Sequence, residues 1–255
     1  MPLPLTPPIA PQLARSRDQL PDEPGWAFEP KWDGFRAIVF VDGDEAYIQS
    51  RGGKDLTRYF PEVTFPSGRY VVDGELVAET FGTLGNRIHP AEIRIKRLAE
   101  ETPARFIAFD LLADGDEVLI DRPYTERRAR LEALGAPGLE LTPVVHTAEE
   151  AAGWLETEEG VIAKVADAPY MPGERKAMLK IKRQRTADAV LVGWRPGKAE
   201  GTVGALILAM AEEDGETMRV VGHISGFTAK QKRELVETLK PFETGEICVI
   251  GPAVF

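Results

Sequence analysis

The sequence predicts an α+β fold, with antiparallel sheets flanked by helices and then a smaller unit resembling part of a β-barrel. Three observations carry that expectation. Strand-like runs rich in β-branched and aromatic residues recur along the chain, bounded by Gly, Pro or Asp. Helix-like segments fall among them without strict βα alternation, which argues against a doubly wound parallel sheet. After about residue 187 the texture changes to short strands with Gly-rich turns, as in VGWRPGKAEGTVG and EEDGETMRVVGHISG. The expected domains are therefore 1–186 and 187–255.

The elements follow in order. MPLPLTPPIAP has five prolines in eleven residues, which predicts an extended arm laid on the surface. Strands are expected at 36–41 (RAIVFV), 69–78 (RYVVDGELVA), 105–112 (RFIAFDLL), 160–166 (GVIAKVA), 177–182 (AMLKIK) and 188–194 (DAVLVGW), with ALILAMA at 205–211 as a buried strand. Helices are expected at 89–101, 123–134, 147–157 and 228–240. Thr147 with Glu150, and Thr228 with Gln231, have the spacing of capping boxes.

Composition narrows the function. The 255 residues are 43% hydrophobic, enough for one large or two modest domains with a proper core. The single cysteine, Cys248, excludes a disulfide framework and a thiolate metal cluster and fits a reducing, cytosolic setting. No apolar run approaches the ~20 residues of a membrane helix, and the N-terminus lacks the basic start and apolar stretch of a secretory signal. The net charge of −10 would repel nucleic acid overall. ERKAMLKIKRQR (174–185), however, holds six cations and one acid. It reads either as a solvated edge strand with protective lysines or as a phosphate-facing ridge.

Rossmann, P-loop, HExxH and GxSxG patterns are absent, and His89, His146 and His223 are too scattered to form a ligand set. Charged residues are instead embedded in strand-like runs: Glu29 and Lys31 around Pro30, Asp73 and Glu75 in VVDGELVA, Asp110 in FIAFDLL, Glu159 before GVIAK, and Lys180 and Lys182 in MLKIK. Charge in an apolar run is costly unless matched, so the set suggests a shared cleft. Lys180 and Lys182 point to one face, about 7 Å apart, a spacing suited to phosphate oxygens. Glu75 and Glu159 are candidate oxygen ligands for Mg²⁺. Phe109 reads as a stacking platform for a base or as plain core. Lys31, in KWDGFR, is the candidate nucleophile. Only about 4 in 10,000 free lysines are neutral at pH 7, so the amine needs nearby cations, here Arg36, Lys180, Lys182 and a metal, to favour its neutral form.

Taken in order, these motifs resemble the covalent nucleotidyltransferase superfamily, and more closely the bacterial ATP-dependent DNA ligases of the C and D types, associated with end joining and repair. EPKWDGFR, SRGGKDLTRYFPEV, VVDGEL, FIAFDLL, EGVIAK and MLKIK match that family's successive motifs, and RIHPAEIRIKRLAEETPARFIAFDLL (87–112) is especially like the C type. The resemblance implies an adenylation domain followed by a partial OB-type barrel. It implies that Lys31 is the adenylated lysine, that Glu29 reads the adenine amino group, and that Arg51 and Glu75 lie near the ribose. Phe109 would stack on adenine, with Lys180 and Lys182 on the α-phosphate and Arg36 and Arg175 also holding the nucleotide. Glu75 and Glu159 would be the metal carboxylates. The implied cofactors are ATP and Mg²⁺ or Mn²⁺.

The implied activity is sealing of nicks in duplex DNA through a lysyl-AMP intermediate. The implied setting is a cytoplasmic monomer, at the nucleoid when DNA-bound, working with a Ku-like end binder or a repair polymerase and with no membrane. The sequence ends at GEICVIGPAVF with no match to the family's basic sixth motif, so a truncated barrel is expected. Two alternatives stay open at this point: an RNA ligase or capping guanylyltransferase, and a non-catalytic nucleotide- or DNA-binding module. Because the basic ridge is short and the net charge unfavourable, binding to nicked duplex should be weak and fall steeply between low and physiological salt. A filter-binding titration showing no salt dependence would contradict this.

Overall fold

The computed structural model describes residues 2–134, 138–183, 188–212 and 217–244. The chain divides into two compact units, Met1–Arg183 and Gln184–Phe255. The expected boundary at 186–187 and the terminal GEICVIGPAVF (245–255) lie outside the described residues.

The first unit contains strands β1 (Arg15–Ser16), β2 (Trp26–Pro30), β3 (Phe35–Gly43), β4 (Glu45–Ser50) and β5 (Gly68–Val77). Helices α1 (Phe81–Arg87) and α2 (Glu92–Glu101) follow, then β6 (Arg105–Asp114), β7 (Glu117–Val118), α3 (Tyr124–Leu134) and β8 (Glu140–Leu141). The unit ends with α4 (Ala148–Ala151), α5 (Trp154–Thr157), β9 (Gly160–Val165) and β10 (Met178–Lys182). Among the described residues these strands form two sheets. One runs β1-β10-β9-β2 and the other β4-β3-β5-β6-β7, with β8 alongside β6. Pairing is antiparallel except for β1 with β10 and β6 with β8. The sheets are of the predicted α+β kind.

Period-two alternation lets the larger sheet bury both faces. Ala37, Val39 and Val41 of β3 join one core with Leu76, Leu84, Phe106 and Leu131. Ile38 and Phe40 face the other way, with Val71, Leu112 and Tyr170. That second face is covered by the proline-rich arm, whose Leu3, Leu5 and Ile9 pack onto it. Gln49 fastens the arm, accepting from the Ile9 N–H at 2.8 Å and donating to its carbonyl at 2.7 Å. The smaller sheet packs Phe28, Val161 and Ile181 against Ala151, Trp154 and Leu155 of α4 and α5.

Both expected capping boxes are present, at Thr147/Glu150 and Thr228/Gln231. The helix expected over 147–157 is divided into α4 and α5 around Ala152 and Gly153, where glycine weakens helical order. Helix α1 was not expected, since FGTLGNR contains two glycines. It forms because Thr80 caps its start and Arg87, at its end, is buried. The Arg87 guanidinium donates to the carbonyls of Tyr59 and Thr102 and to Glu62. Tertiary bonds of this kind leave no local signal in sequence.

The second unit contains β11 (Val190–Pro196), β12 (Val203–Ala211), β13 (Met218–Ile224) and α6 (Ala229–Leu239). Its strands form an antiparallel sheet in the order β11-β12-β13. The expected buried strand ALILAMA lies within β12, but its residues are mostly half-buried or exposed.

The most enclosed ion pair is between Arg127 on α3 and Asp110 on β6, with side chains 2% and 1% exposed. It is bidentate, at 2.7 and 2.9 Å. A pair this deep is costly to break from one side, because the remaining charge is cut off from water and loses its bidentate partner. Arg127→Met should therefore cost about 3–5 kcal/mol in urea unfolding, and adding Asp110→Leu should recover much of it. A single-variant loss below about 1 kcal/mol would show that the pair is not isolated from solvent.

Candidate active site

In the first unit, β2, β9 and β10 of one sheet and β3, β5 and β6 of the other line a cavity of ≈ 300 Å³. Glu29, Lys31, Arg36, Arg51, Glu75, Phe109, Arg175, Lys180 and Lys182 all lie on its walls. Arg51, Arg175 and Lys182 are exposed, whereas Glu29 and Phe109 are buried. Glu159 reaches the same place through its partners, since its carboxylate accepts from Lys31 Nζ and from Lys182 Nζ.

Local geometry explains how these side chains come together. The backbone N–H of Lys31, just after β2, donates to the Gly160 carbonyl at 2.9 Å, pinning the end of β2 to the start of β9. Gly160 pairs with Lys182 across β9 and β10. Its φ is +151°, and a Cβ there would sit 2.1 Å from the Ile181 carbonyl oxygen. Only glycine permits that approach, and the approach sets Glu159 beside Lys182. In the other sheet, Glu75 faces Arg36 in register across β5 and β3. A Cβ on Gly74 would meet the Phe106 ring at 2.3 Å, so β5 lies against β6 only because residue 74 has no side chain.

Behind the wall is a layer of matched charge. Arg36 makes a bidentate pair with Asp73, at 2.7 and 2.6 Å. Tyr170 Oη donates to Asp73 at 2.6 Å and accepts from the Gln12 N–H at 3.0 Å. The Arg36 guanidinium stands 4.7 Å over the Phe109 ring. Glu29 Oε1 accepts from Tyr124 Oη at 2.6 Å and from Lys164 Nζ at 2.8 Å, and Lys164 also donates to the Phe109 carbonyl at 3.0 Å.

The ionisation of the wall follows from this arrangement. Burial pushes the Glu75 carboxyl up to about 7, against the pull of Arg36 and Lys31 and with a further push from Asp73 and Glu159. Burial would also raise Glu159, but hydrogen bonds from Lys182 and Lys31 outweigh it and hold that carboxyl below its ordinary value. Burial works against the Arg36 charge, yet the Asp73 carboxylate more than offsets it.

The charged residues expected to share one cleft are thus divided in two. Glu29, Lys31, Glu75, Lys180 and Lys182 line the cavity, whereas Asp73 and Asp110 lie behind it, paired with Arg36 and Arg127. Arg36, expected to act on the Lys31 amine as a bare cation, is matched by Asp73; the group that touches Lys31 is Glu159. Sequence reasoning passed over Lys164, Tyr124, Tyr170 and Gln12. Lys164 carried the same signal as the others, a charge in the apolar run GVIAKVA. Tyr124, Tyr170 and Gln12 carried none. Among the described residues no group of three or more His, Cys, Asp or Glu is placed to hold a metal by itself.

Known proteins resemble this chain over most of its length. The family model for the ATP dependent DNA ligase domain matches residues 7–182. DNA ligase C1 of Mycolicibacterium smegmatis is 44% identical, over 96% of this chain and 76% of that protein. DNA ligase C of Mycobacterium tuberculosis is 41% identical, over 96% and 74%. The structure of mycobacterial DNA ligase D complexed with ATP and MES superposes with a TM-score of 0.57 and 30% identity, covering 93% of this chain and 79% of that one. With a family model spanning both sheets and relatives matched over nearly the whole chain, this protein belongs to the ATP-dependent DNA ligase family.

Proposed function

We propose that Lys31 is the residue that carries AMP, and that the chain uses it to seal nicks in duplex DNA during repair. One observation carries this reading: side chains from segments as far apart as Glu29 and Lys182 line a single cavity, with Lys31 and Lys182 joined through Glu159. The Lys31 nitrogen, after losing its proton, attacks the α-phosphorus of ATP. A P–N bond forms as the P–O bond to pyrophosphate breaks. A 5′-phosphate oxygen at the nick then attacks the same phosphorus, and the P–N bond breaks to return the amine. Finally the 3′-hydroxyl attacks the activated 5′-phosphate, closes the phosphodiester and releases AMP.

Lys180, Lys182 and Arg175 supply positive charge for the phosphates, and they are in place before the reaction begins, so little reorganisation is needed. Phe109 and Glu29 are the surfaces for the base, and Arg51 and Glu75 those for the ribose side. Glu159 accepts from the Lys31 amine. Glu75 and Glu159 repel each other across it, a relation that a cation would relieve. These residues fit a divalent ion that completes its shell with phosphate oxygens and water rather than with protein alone. Glu75 and Glu159 would be the carboxylates that hold it, and its charge would offset that of the phosphates.

Intact-mass measurement after incubation with ATP and Mg²⁺ should show an adduct of AMP size on the native chain and none on Lys31→Ala. An adduct that persists in the variant would place the chemistry elsewhere. The second expectation concerns pH. Glu75 binds a cation only when ionised, so the Mg²⁺ concentration for half-maximal adduct formation should fall as pH rises from about 6 to 8, through the value near 7 set by burial. In Glu75→Gln that concentration should be higher and nearly independent of pH. Parallel pH curves for the two proteins would remove Glu75 from the metal site.

A further inference from the structure

We propose that Gln12 is a positioning residue for phosphate recognition: its side-chain amide ties together the two ends of the loop from Met171 to Lys176 and so fixes Arg175 on the wall of the cavity. The inference rests on the reading of the cavity as an ATP site and deepens it.

Arg175 lies on that wall and is exposed, and among the described residues no hydrogen bond or ion pair holds its guanidinium. Its direction is therefore set by the backbone that carries it, and the N-terminal arm holds that backbone. The Gly173 N–H donates to the Pro11 carbonyl at 3.1 Å, and the Leu13 N–H donates to the Glu174 carbonyl at 2.8 Å. Gln12, between them, reaches both ends of the loop with one side chain. Its Oε1 accepts from the Met171 N–H at 3.3 Å, and its Nε2 donates to the Lys176 carbonyl at 2.7 Å. The residue is 3% exposed. A glutamine amide accepts at one end and donates at the other, which a carboxylate or thioether of the same length cannot do.

The bond to Lys176 has a mechanical consequence. Among the described residues, Ala177 is the one non-glycine at positive φ, at +57°. Such a residue keeps that conformation only where its surroundings fix it from both sides. On the far side, the Ala177 carbonyl accepts from the Val165 N–H at 2.9 Å, and Met178 pairs with Lys164. On the near side, the peptide unit between Lys176 and Ala177 is planar, so holding its carbonyl oxygen holds φ of Ala177 as well. Gln12 supplies that hold. Without it the peptide unit can turn, and Ala177 relaxes toward the extended region. The loop, with Arg175 on it, then swings about the start of β10. Lys180 and Lys182, inside a strand paired with β9, stay in place. The Gln12 backbone is anchored separately, through its N–H to Tyr170 Oη at 3.0 Å, so a side-chain substitution tests the amide alone.

The test is calorimetric binding, by the full chain with Mg²⁺, of adenosine and of the α,β-methylene analogue of ATP, which cannot release pyrophosphate. Thermal unfolding confirms that each variant is folded. The native protein should bind the analogue more tightly than adenosine. Gln12→Met should weaken the analogue about tenfold, as a small misplacement of a binding group does, and leave adenosine unchanged. In an Arg175→Ala background the same substitution should have little further effect on the analogue, because the two residues act as one unit. Gln12→Asn, whose amide is too short to reach both ends of the loop, should lose several-fold, and it decides alone if Gln12→Met does not fold. Equal loss for both ligands would mean a structural role only and would overturn the inference. No loss, or a loss of the same size with and without Arg175, would also overturn it, while leaving Arg175 at the phosphates. If Arg175→Ala by itself leaves the affinity for the analogue intact, the reading of this wall as a phosphate site fails and takes the inference with it.

Discussion

The bidentate pair between Arg36 and Asp73 is the interaction around which the cavity is arranged. Asp73 is wholly enclosed and Arg36 is 19% exposed, and the enclosed carboxylate could not stay charged there without its partner. Their pairing frees the outward side of the guanidinium to lie over Phe109. It brings Tyr170 down onto Asp73, and through Tyr170 it brings the backbone of Gln12 against the cavity. A second pair, Asp110 with Arg127, repeats the device one strand away. The wall can present amines and carboxylates to a ligand because the layer beneath it is already electrically matched.

On that foundation the visible groups are held in tension. Glu75 and Glu159 repel each other, and Lys31 and Lys182 share one carboxylate. Each unsatisfied tendency is one that a nucleotide with its counter-ion would relieve.

Much of this was legible in the sequence, for a physical reason. A charge inside an apolar strand run must be matched, so EPKWDGFR, VVDGEL, EGVIAK and MLKIK each pointed to a side chain that lines the cavity or bonds to its wall. Period-two alternation identified the larger strands. The partners were not legible. Tyr124, Tyr170 and Gln12 act through hydrogen bonds whose other ends lie 95 to 158 residues away, and ordinary polar residues at those positions send no local signal. The same holds for α1, which depends on buried Arg87 more than on its own helix propensity. Lys164 is the instructive case: the rule that found Lys31 applied equally to it, since it lies inside the apolar run GVIAKVA.

The arm fastened by Gln49 and Tyr170 has a consequence for how the protein comes into being. Pro11, Gln12, Leu13 and Ala14 line the cavity, and Arg15 and Ser16 add a parallel strand beside Leu179 and Lys180. The arm therefore waits for a segment near the far end of the same unit before its own strand has a partner. Contacts of such sequence separation close slowly, because the loop entropy is lost before the bonds form. The sheets can assemble from nearer neighbours, but the cavity closes only when the two ends of the unit meet.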